Sequence, residues 1–407
     1  MRRTVLLIIA LALLVTACHK HDDDEVTVAD RTVLVYMSGE NDLYGYISGD
    51  LEQMKIGTRS MTGNNRLVVY VDEADSSRKP YLLHIVDGET EDSIAMGDDT
   101  PTSDPAILLN VMQHVISKYP ANEYGLVLWG HADGWLIERD SVVSDVWTTP
   151  LAAPQKGPRR AYGRDTGNNY PSITGGTWMN IPSMARVLSM VPKLKFIFAD
   201  CCNFQSLEVA YELRKVTDYI IGSPAEIPGE GAPYHTVVPA LFQKETFWQS
   251  IVDNYYEQVL EGKYVPLSVI KTSEMEQLAA ATRTALAATV PTIEDVYPDM
   301  TGLIHYYYHG APYKFYDVND FMLKFATPEV YATWKQSLDR AVIYKKMATR
   351  WMTNVYWGVY YDDFTVTEEK YGGVSMFVPQ YYYQRIINSQ IKQLGWYYVS
   401  GMADVGW

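Results

Sequence analysis

Lys195-Phe-Ile-Phe-Ala-Asp-Cys-Cys-Asn-Phe-Gln-Ser-Leu-Glu-Val-Ala-Tyr-Glu212 reads as a buried strand that stops on two cysteines and turns into a helix. Phe196 to Ala199 has the length and the aromatic and β-branched content of a parallel strand covered on both faces, while Leu207, Ala210 and Tyr211 recur at helical spacing. Cys202 is thereby expected at the carboxyl end of the strand and the amino end of the helix. Orphan N–H groups and the helix dipole at such a place lower a thiol's pKa and favour the reactive thiolate. Inert burial of Cys201 and Cys202 in the core is the plain alternative.

Upstream, Arg31–Met37, Arg66–Asp72, Pro80–Val86 and Tyr124–Trp129 read as strands, the third of them antiparallel to a neighbour. A helix runs from about Leu43 through Met54. Asp104 caps another, with Pro105 at its first position and Ile107, Leu108, Val111, Met112 and Val115 at helical spacing. Alternating strands and helices predict an α/β fold, a mostly parallel sheet with helices on both faces. Functional residues of such sheets gather beyond the carboxyl ends of the strands. Gly130-His131-Ala132-Asp133-Gly134 lies there, so two strands deliver a histidine and a cysteine to one rim. An imidazole near the sulfur can stabilise the thiolate and protonate a leaving amine. The backbone N–H of Cys202 and one beside Gly130 or His131 are candidate oxyanion donors. His84, His114, His305 and His309 are weaker candidates for the base, and His235 is the nearest rival.

Several segments resemble the clostripain (C11) family of cysteine peptidases in the caspase-like clan. They are Val33-Leu-Val-Tyr-Met37 with Glu40-Asn-Asp-Leu43, Ser103-Asp-Pro-Ala106, Leu126-Val-Leu-Trp-Gly-His-Ala-Asp-Gly-Trp135, Asp200-Cys-Cys202 with Ser206–Leu213, Pro228-Gly-Glu-Gly-Ala-Pro-Tyr234 and Val374–Pro379. The resemblance covers most of the chain after residue 30. It implies a Cys202/His131 dyad, with Cys201 where the family usually has alanine, and cleavage after a basic residue. Asp200 matches the family's S1 acid, and Glu230 could supply a second carboxylate. Carboxylates walling such a pocket would give a guanidinium charge-assisted hydrogen bonds. An N-cap role is the alternative for Asp200.

Between His131 and Cys202, residues 136–180 are long and poor in periodicity. Relatives mature by cutting themselves in this interval, which makes it an expected activation loop with Arg160, then Arg159, then Lys156 as cleavage candidates and Arg139 a distant fourth. Tethering raises the effective concentration of that loop at its own site. The expected product is a monomer of two associated fragments.

Arg2 and Arg3 precede an apolar run to Val15 that ends Val15-Thr-Ala-Cys18, resembling a bacterial lipoprotein signal with Cys18 acylated. Residues 1–17 are then a signal peptide and 18–30 an acidic tether to an outer membrane or cell surface. Residues 31–240 form the catalytic domain and 241–407 a helix-rich C-terminal subdomain, with helices expected over 252–260, 273–288, 318–325 and 334–352. A formal net charge of −15 argues against nucleic acid, and 47% hydrophobic residues suit a large folded core. After Cys18 only Cys201 and Cys202 remain, adjacent and too close for an ordinary disulfide. No cofactor is required. Some relatives depend on calcium, although no motif in the chain indicates a metal. The substrates expected are proteins or peptides with basic residues; a catalytically silent lipid-anchored binding module on the same scaffold is the alternative.

Overall fold

The computed structural model describes residues 27–75, 77–137, 161–167, 176–258, 265–293, 297–307, 314–349, 351–354, 359–360, 364–379 and 387–407. The expectations at Cys18 and the leader, at Arg139, Lys156, Arg159 and Arg160, and at His309 lie outside the described residues. The first half of the chain runs β1 (Ala29–Gly39), α1 (Tyr44–Thr58), β2 (Asn65–Glu73), β3 (Tyr81–Val86), β4 (Glu89–Ala95), α2 (Pro105–Lys118), β5 (Ala121–Trp129), β6 (Tyr162–Asp165), β7 (Thr177–Met179), α3 (Ile181–Leu188) and β8 (Leu194–Asp200). It continues with α4 (Leu207–Leu213), β9 (Thr217–Gly222), α5 (Tyr234–Leu241), α6 (Phe247–Gln258), β10 (Leu267–Lys271), α7 (Met275–Thr289), β11 (His305–Tyr307), β12 (Lys314–Asp317), α8 (Val318–Phe325), α9 (Pro328–Ala341), β13 (Val342–Lys346), β14 (Met352–Asn354), β15 (Val359–Tyr360) and β16 (Ser375–Met376).

Nine strands form one sheet in the order β13-β10-β9-β8-β5-β1-β2-β3-β4. Its five central strands, β9 to β2 in that order, pair in parallel, and the edges are antiparallel. Both faces are covered, because alternate residues of each central strand enter different cores. Val33, Val35 and Met37 of β1 join Phe196 and Phe198 of β8 on one face, under α5 and α6. Leu34 and Tyr36 join Ile197 and Ala199 on the other, under α2, α3 and α4. Near-continuous apolar runs in the sequence reflect this two-sided burial. As expected, Asp104 caps α2, accepting from the Ala106 N–H at 2.9 Å.

Residues after 240 are woven into the same sheet: β10 pairs with β9 and carries β13 on its outer side. The helix expected over 334–352 ends at Ala341, where Val342-Ile343-Tyr344 become the edge strand β13. Branched and aromatic residues suit that half-covered edge better than a helix. The sequence does not mark β9 and β10 either, since short apolar runs do not separate strand from helix by periodicity.

Candidate active site

Trp129 of β5 lies opposite Asp200 of β8 in a parallel register. His131 and Cys202 each follow two residues later, so adjacent strands release both side chains at one level of the sheet's carboxyl edge. The two loops touch backbone to backbone. Gly134 has φ 65°, and a Cβ there would come within 2.7 Å of the Asn203 carbonyl oxygen; a side chain at 134 would push the loops apart. Residues from beyond the intervening segment clamp the histidine loop: the Gly163 N–H donates to His131 O and the Asp133 N–H to Ala161 O, each at 2.8 Å.

The His131 ring is partly exposed, and its Nε2 lies 2.9 Å from Asp42 Oδ1. Arg164 Nη1, from β6, donates to the same oxygen at 3.0 Å. Burial pushes the Asp42 carboxyl up, but the hydrogen bond and charge of His131, with Arg164 behind them, outweigh it and hold the group at about 2. An ionised carboxylate only accepts, so Nε2 carries the hydrogen and Nδ1 is left for proton transfer. Trp178 of β7 flanks the imidazole, ring centroids 6.4 Å apart. Gly130, the candidate oxyanion neighbour, joins β5 to this histidine. His235, the rival base, is instead held 3.0 Å from Gln53 between α5 and α1.

Cys201 is buried among the residues under α4, whereas the partly exposed Cys202 packs against the opposite core. Cys202 is not at a helix N-terminus: a turn intervenes, and α4 begins at Leu207 with Ser206 as its cap. That corrects the expected dipole effect, as does the direction of the thiol's pKa. Burial pushes it up, the charges of Glu226, Asp133 and Asp200 add to this, and only the Ile227 N–H works against them. That N–H donates to Sγ at 3.5 Å. Neither of the described side chains of Cys202 and His131 hydrogen-bonds the other.

Asp200 ends β8 wholly buried and is not the cap of α4. Its Oδ2 accepts from Tyr234 OH at 2.7 Å and Ala232 N at 3.0 Å, and its Oδ1 from Tyr255 OH at 3.2 Å. Burial pushes its carboxyl up to about 6 in spite of these donors. Gly231 (φ 59°) roofs it so closely that a Cβ there would sit 2.7 Å from Oδ2. Glu230 beside that glycine is exposed. A further carboxyl was missed in the sequence: Asp50 of α1 accepts from Trp129 Nε1 at 2.8 Å. Burial and then the charge of Asp200 push Asp50 up to about 8, with Glu230 adding to them. Asp42, Asp50, Arg164 and Tyr255 carry no motif of their own beyond the Glu40–Leu43 segment, and only the fold assembles them. Among the described residues, one group of three carboxylates could hold a metal ion, Glu40, Asp72 and Asp165, and it includes neither His131 nor Cys202.

Residues 35–390 match the clostripain family, Peptidase C11. Among curated proteins none matches the chain. A secreted C11 cysteine protease from Bacteroides thetaiotaomicron, solved with an irreversible peptide inhibitor, is similar at 30% identity and TM-score 0.71, over 92% of this chain and 99% of that one. An inactive zymogen C11 protease from Parabacteroides distasonis is similar at 30% identity and TM-score 0.74, over the same shares of 92% and 99%. A cysteine protease from B. fragilis, 32% identical with TM-score 0.51, covers 58% of this chain and 99% of its own.

Proposed function

The chain belongs to the clostripain family of cysteine peptidases, and we propose that it is an endopeptidase cutting after Arg or Lys, with Cys202 as nucleophile and His131 as general acid and base. The matched offset of the two residues beyond the Trp129–Asp200 register pair carries this reading. His131 Nδ1 takes the thiol proton as Sγ attacks the scissile carbonyl, and the imidazolium returns it to the leaving amine. Water then attacks the thioester with His131 as base and frees the thiol. Asp42 and Arg164 hold the ring in the tautomer this needs. Backbone N–H groups of Cys202 and beside Gly130 would receive the oxyanion.

Specificity rests on Asp200 and Glu230, with Asp50 behind them. A guanidinium or ammonium entering beside these carboxylates offsets the negative charge that pushes the Cys202 thiol up, so a basic substrate eases formation of the thiolate. Support for a peptide substrate comes from the inhibitor-bound Bacteroides thetaiotaomicron relative. The relative described as an inactive zymogen supports maturation from an inactive form, which we assign to self-processing after Arg160, Arg159 or Lys156. Fragments would stay together because residues on either side of that loop share one sheet and the backbone bonds at His131 and Asp133. A secreted relative supports export, and acylation of Cys18 would anchor the protein at the outer membrane or cell surface. Among the described residues no helix is long and apolar enough to cross a membrane.

Replacing the two thiols separately tests the dyad. Cys202→Ala should abolish hydrolysis of Arg- and Lys-ending reporter peptides and leave the chain whole, while Cys201→Ala keeps most activity. Loss of activity from the Cys201 change alone would overturn the register. A basic peptidyl electrophile should label processed wild type at Cys202; unlabelled, fully processed protein would identify a silent binding module.

A further inference from the structure

Three carboxylates from distant parts of the chain meet at the sheet's carboxyl edge: Glu40 just beyond β1, Asp72 near the end of β2 and Asp165 at the end of β6. All three are buried, and one oxygen from each lies within 4.8 Å of the other two. Asp165 is well supplied with donors, Thr102 N at 2.7 Å and Thr102 Oγ1 at 3.0 Å to one oxygen and Gly167 N at 3.0 Å to the other. Asp72 is not. It is 2% exposed, and its Oδ2 is buried with no hydrogen-bond partner. Among the described residues no lysine or arginine pairs with any of the three carboxylates. Like charges this close in a low-dielectric interior repel strongly, and an orphaned buried oxygen adds its own desolvation cost. A cation seated among them would offset both costs.

We infer that Glu40, Asp72 and Asp165 bind a divalent cation, calcium in preference to magnesium, and thereby hold β6 against the ends of β1 and β2. Two oxygens bound to one calcium at its usual bond length lie at most about 5 Å apart, which the cluster satisfies. The donors are all oxygen, the set hard cations prefer. Calcium accepts several carboxylates in irregular geometry, whereas magnesium demands an octahedron and keeps much of its water. The consequence reaches the histidine. Arg164 precedes Asp165 in β6 and so points to the other side of the strand, where it holds Asp42 against His131. Thr166, next along, ties back to the Glu40 carbonyl through its N–H and its hydroxyl, each at 2.9 Å. A cation on Asp165 therefore anchors the strand that positions the histidine's partner.

Full-length Cys202→Ala protein, stripped with a chelator, supplies a test that needs no peptidase activity. Tyr36 and Tyr70, stacked with centroids 4.9 Å apart, adjoin the cluster and should sensitise terbium luminescence, which calcium then quenches by displacement. Calcium should raise the melting temperature by several degrees, and magnesium at equal concentration by less. In the same background Asp72→Asn should lower calcium affinity at least about tenfold, as removal of a charged ligand does. It should melt no lower than the stripped parent. Should that variant not fold, Glu40→Gln must show the same loss of affinity. A stripped parent whose luminescence and melting ignore calcium overturns the site. So does unchanged calcium affinity in either folded variant, and a larger response to magnesium overturns the choice of ion.

Discussion

Two buried acid groups stand at the same edge of the sheet on opposite faces. Asp200 shares the face of Phe196 and Phe198, and Asp72 the face of Val68 and Tyr70. Around Asp200 and Asp50 the donors are neutral: two tyrosine hydroxyls, a backbone N–H and an indole N–H. Those groups satisfy the Asp200 carboxyl without neutralising it, beneath Gly231 and two residues before the thiol, while Asp50, pushed up to about 8, holds its proton at neutral pH. Around Asp72 an oxygen is left without a donor. Neutral donors leave the Asp200 carboxyl able to carry the negative charge that the proposed basic specificity needs, while the missing donor at Asp72 matches the proposed resident cation. Under the two proposals, identical residue types serve a transient ligand on one face and a permanent one on the other.

The largest break in that comparison should come from Asp200→Asn. Loss of a buried charge facing a cationic group is expected to cut kcat/KM for Arg and Lys reporters by about two to three orders of magnitude, with reporters ending in neutral residues little changed. Asp72→Asn should leave the ratio of basic to neutral turnover where it was. Equal loss of preference in both variants would merge the two groups into one.

Gly231→Ala ranks next. Its Cβ cannot enter without moving the Asp200 carboxylate, and the backbone is in the left-handed region, so a stability loss of about 1–3 kcal/mol in denaturant melts should accompany a weakened basic preference. A pH series sharpens the contrast further. The Asp200 carboxyl is raised to about 6, against about 3.9 in an unfolded chain. Between those values the folded state binds more protons than the unfolded one. Its contribution to stability therefore declines as pH rises from about 4 to about 6, by about 2–3 kcal/mol, and is level above. Asp200→Asn should flatten that window in a pH series of melts. KM for an Arg reporter should fall over the same interval as the carboxylate ionises. The smallest effect is expected from Tyr255→Phe, about 1 kcal/mol for one neutral hydrogen bond; its bond to Asp200 is 3.2 Å against 2.7 Å for Tyr234, so Tyr234→Phe should cost more.

Strands β1, β2, β3, β5 and β8 were legible because two-sided burial writes unbroken apolar runs, and α2 because its cap and its proline announce it. Edge strand β13 was hidden inside a helical-looking run, since its partner β10 lies more than seventy residues earlier and nothing local records the pairing. At the candidate site, the places of His131 and Cys202 beyond strand ends were legible. The direction of the thiol's pKa could not. It is set first by burial and then by the charges of Glu226 and Asp133, and both reach Cys202 only through the packing of separate loops.

From the sequence alone come the α/β class, the two strand ends that carry histidine and cysteine, and the segments by which the family is recognised. All three depend on residues near one another in the chain, where periodicity and spacing act. The tertiary structure decided which acid meets which neighbour: Asp42 with His131 across 89 positions, Asp200 with Tyr255 across 55, Asp165 with Thr102 across 63. Burial and charge are properties of the space around a group, and that space is filled by residues whose order in the chain says nothing of their distance.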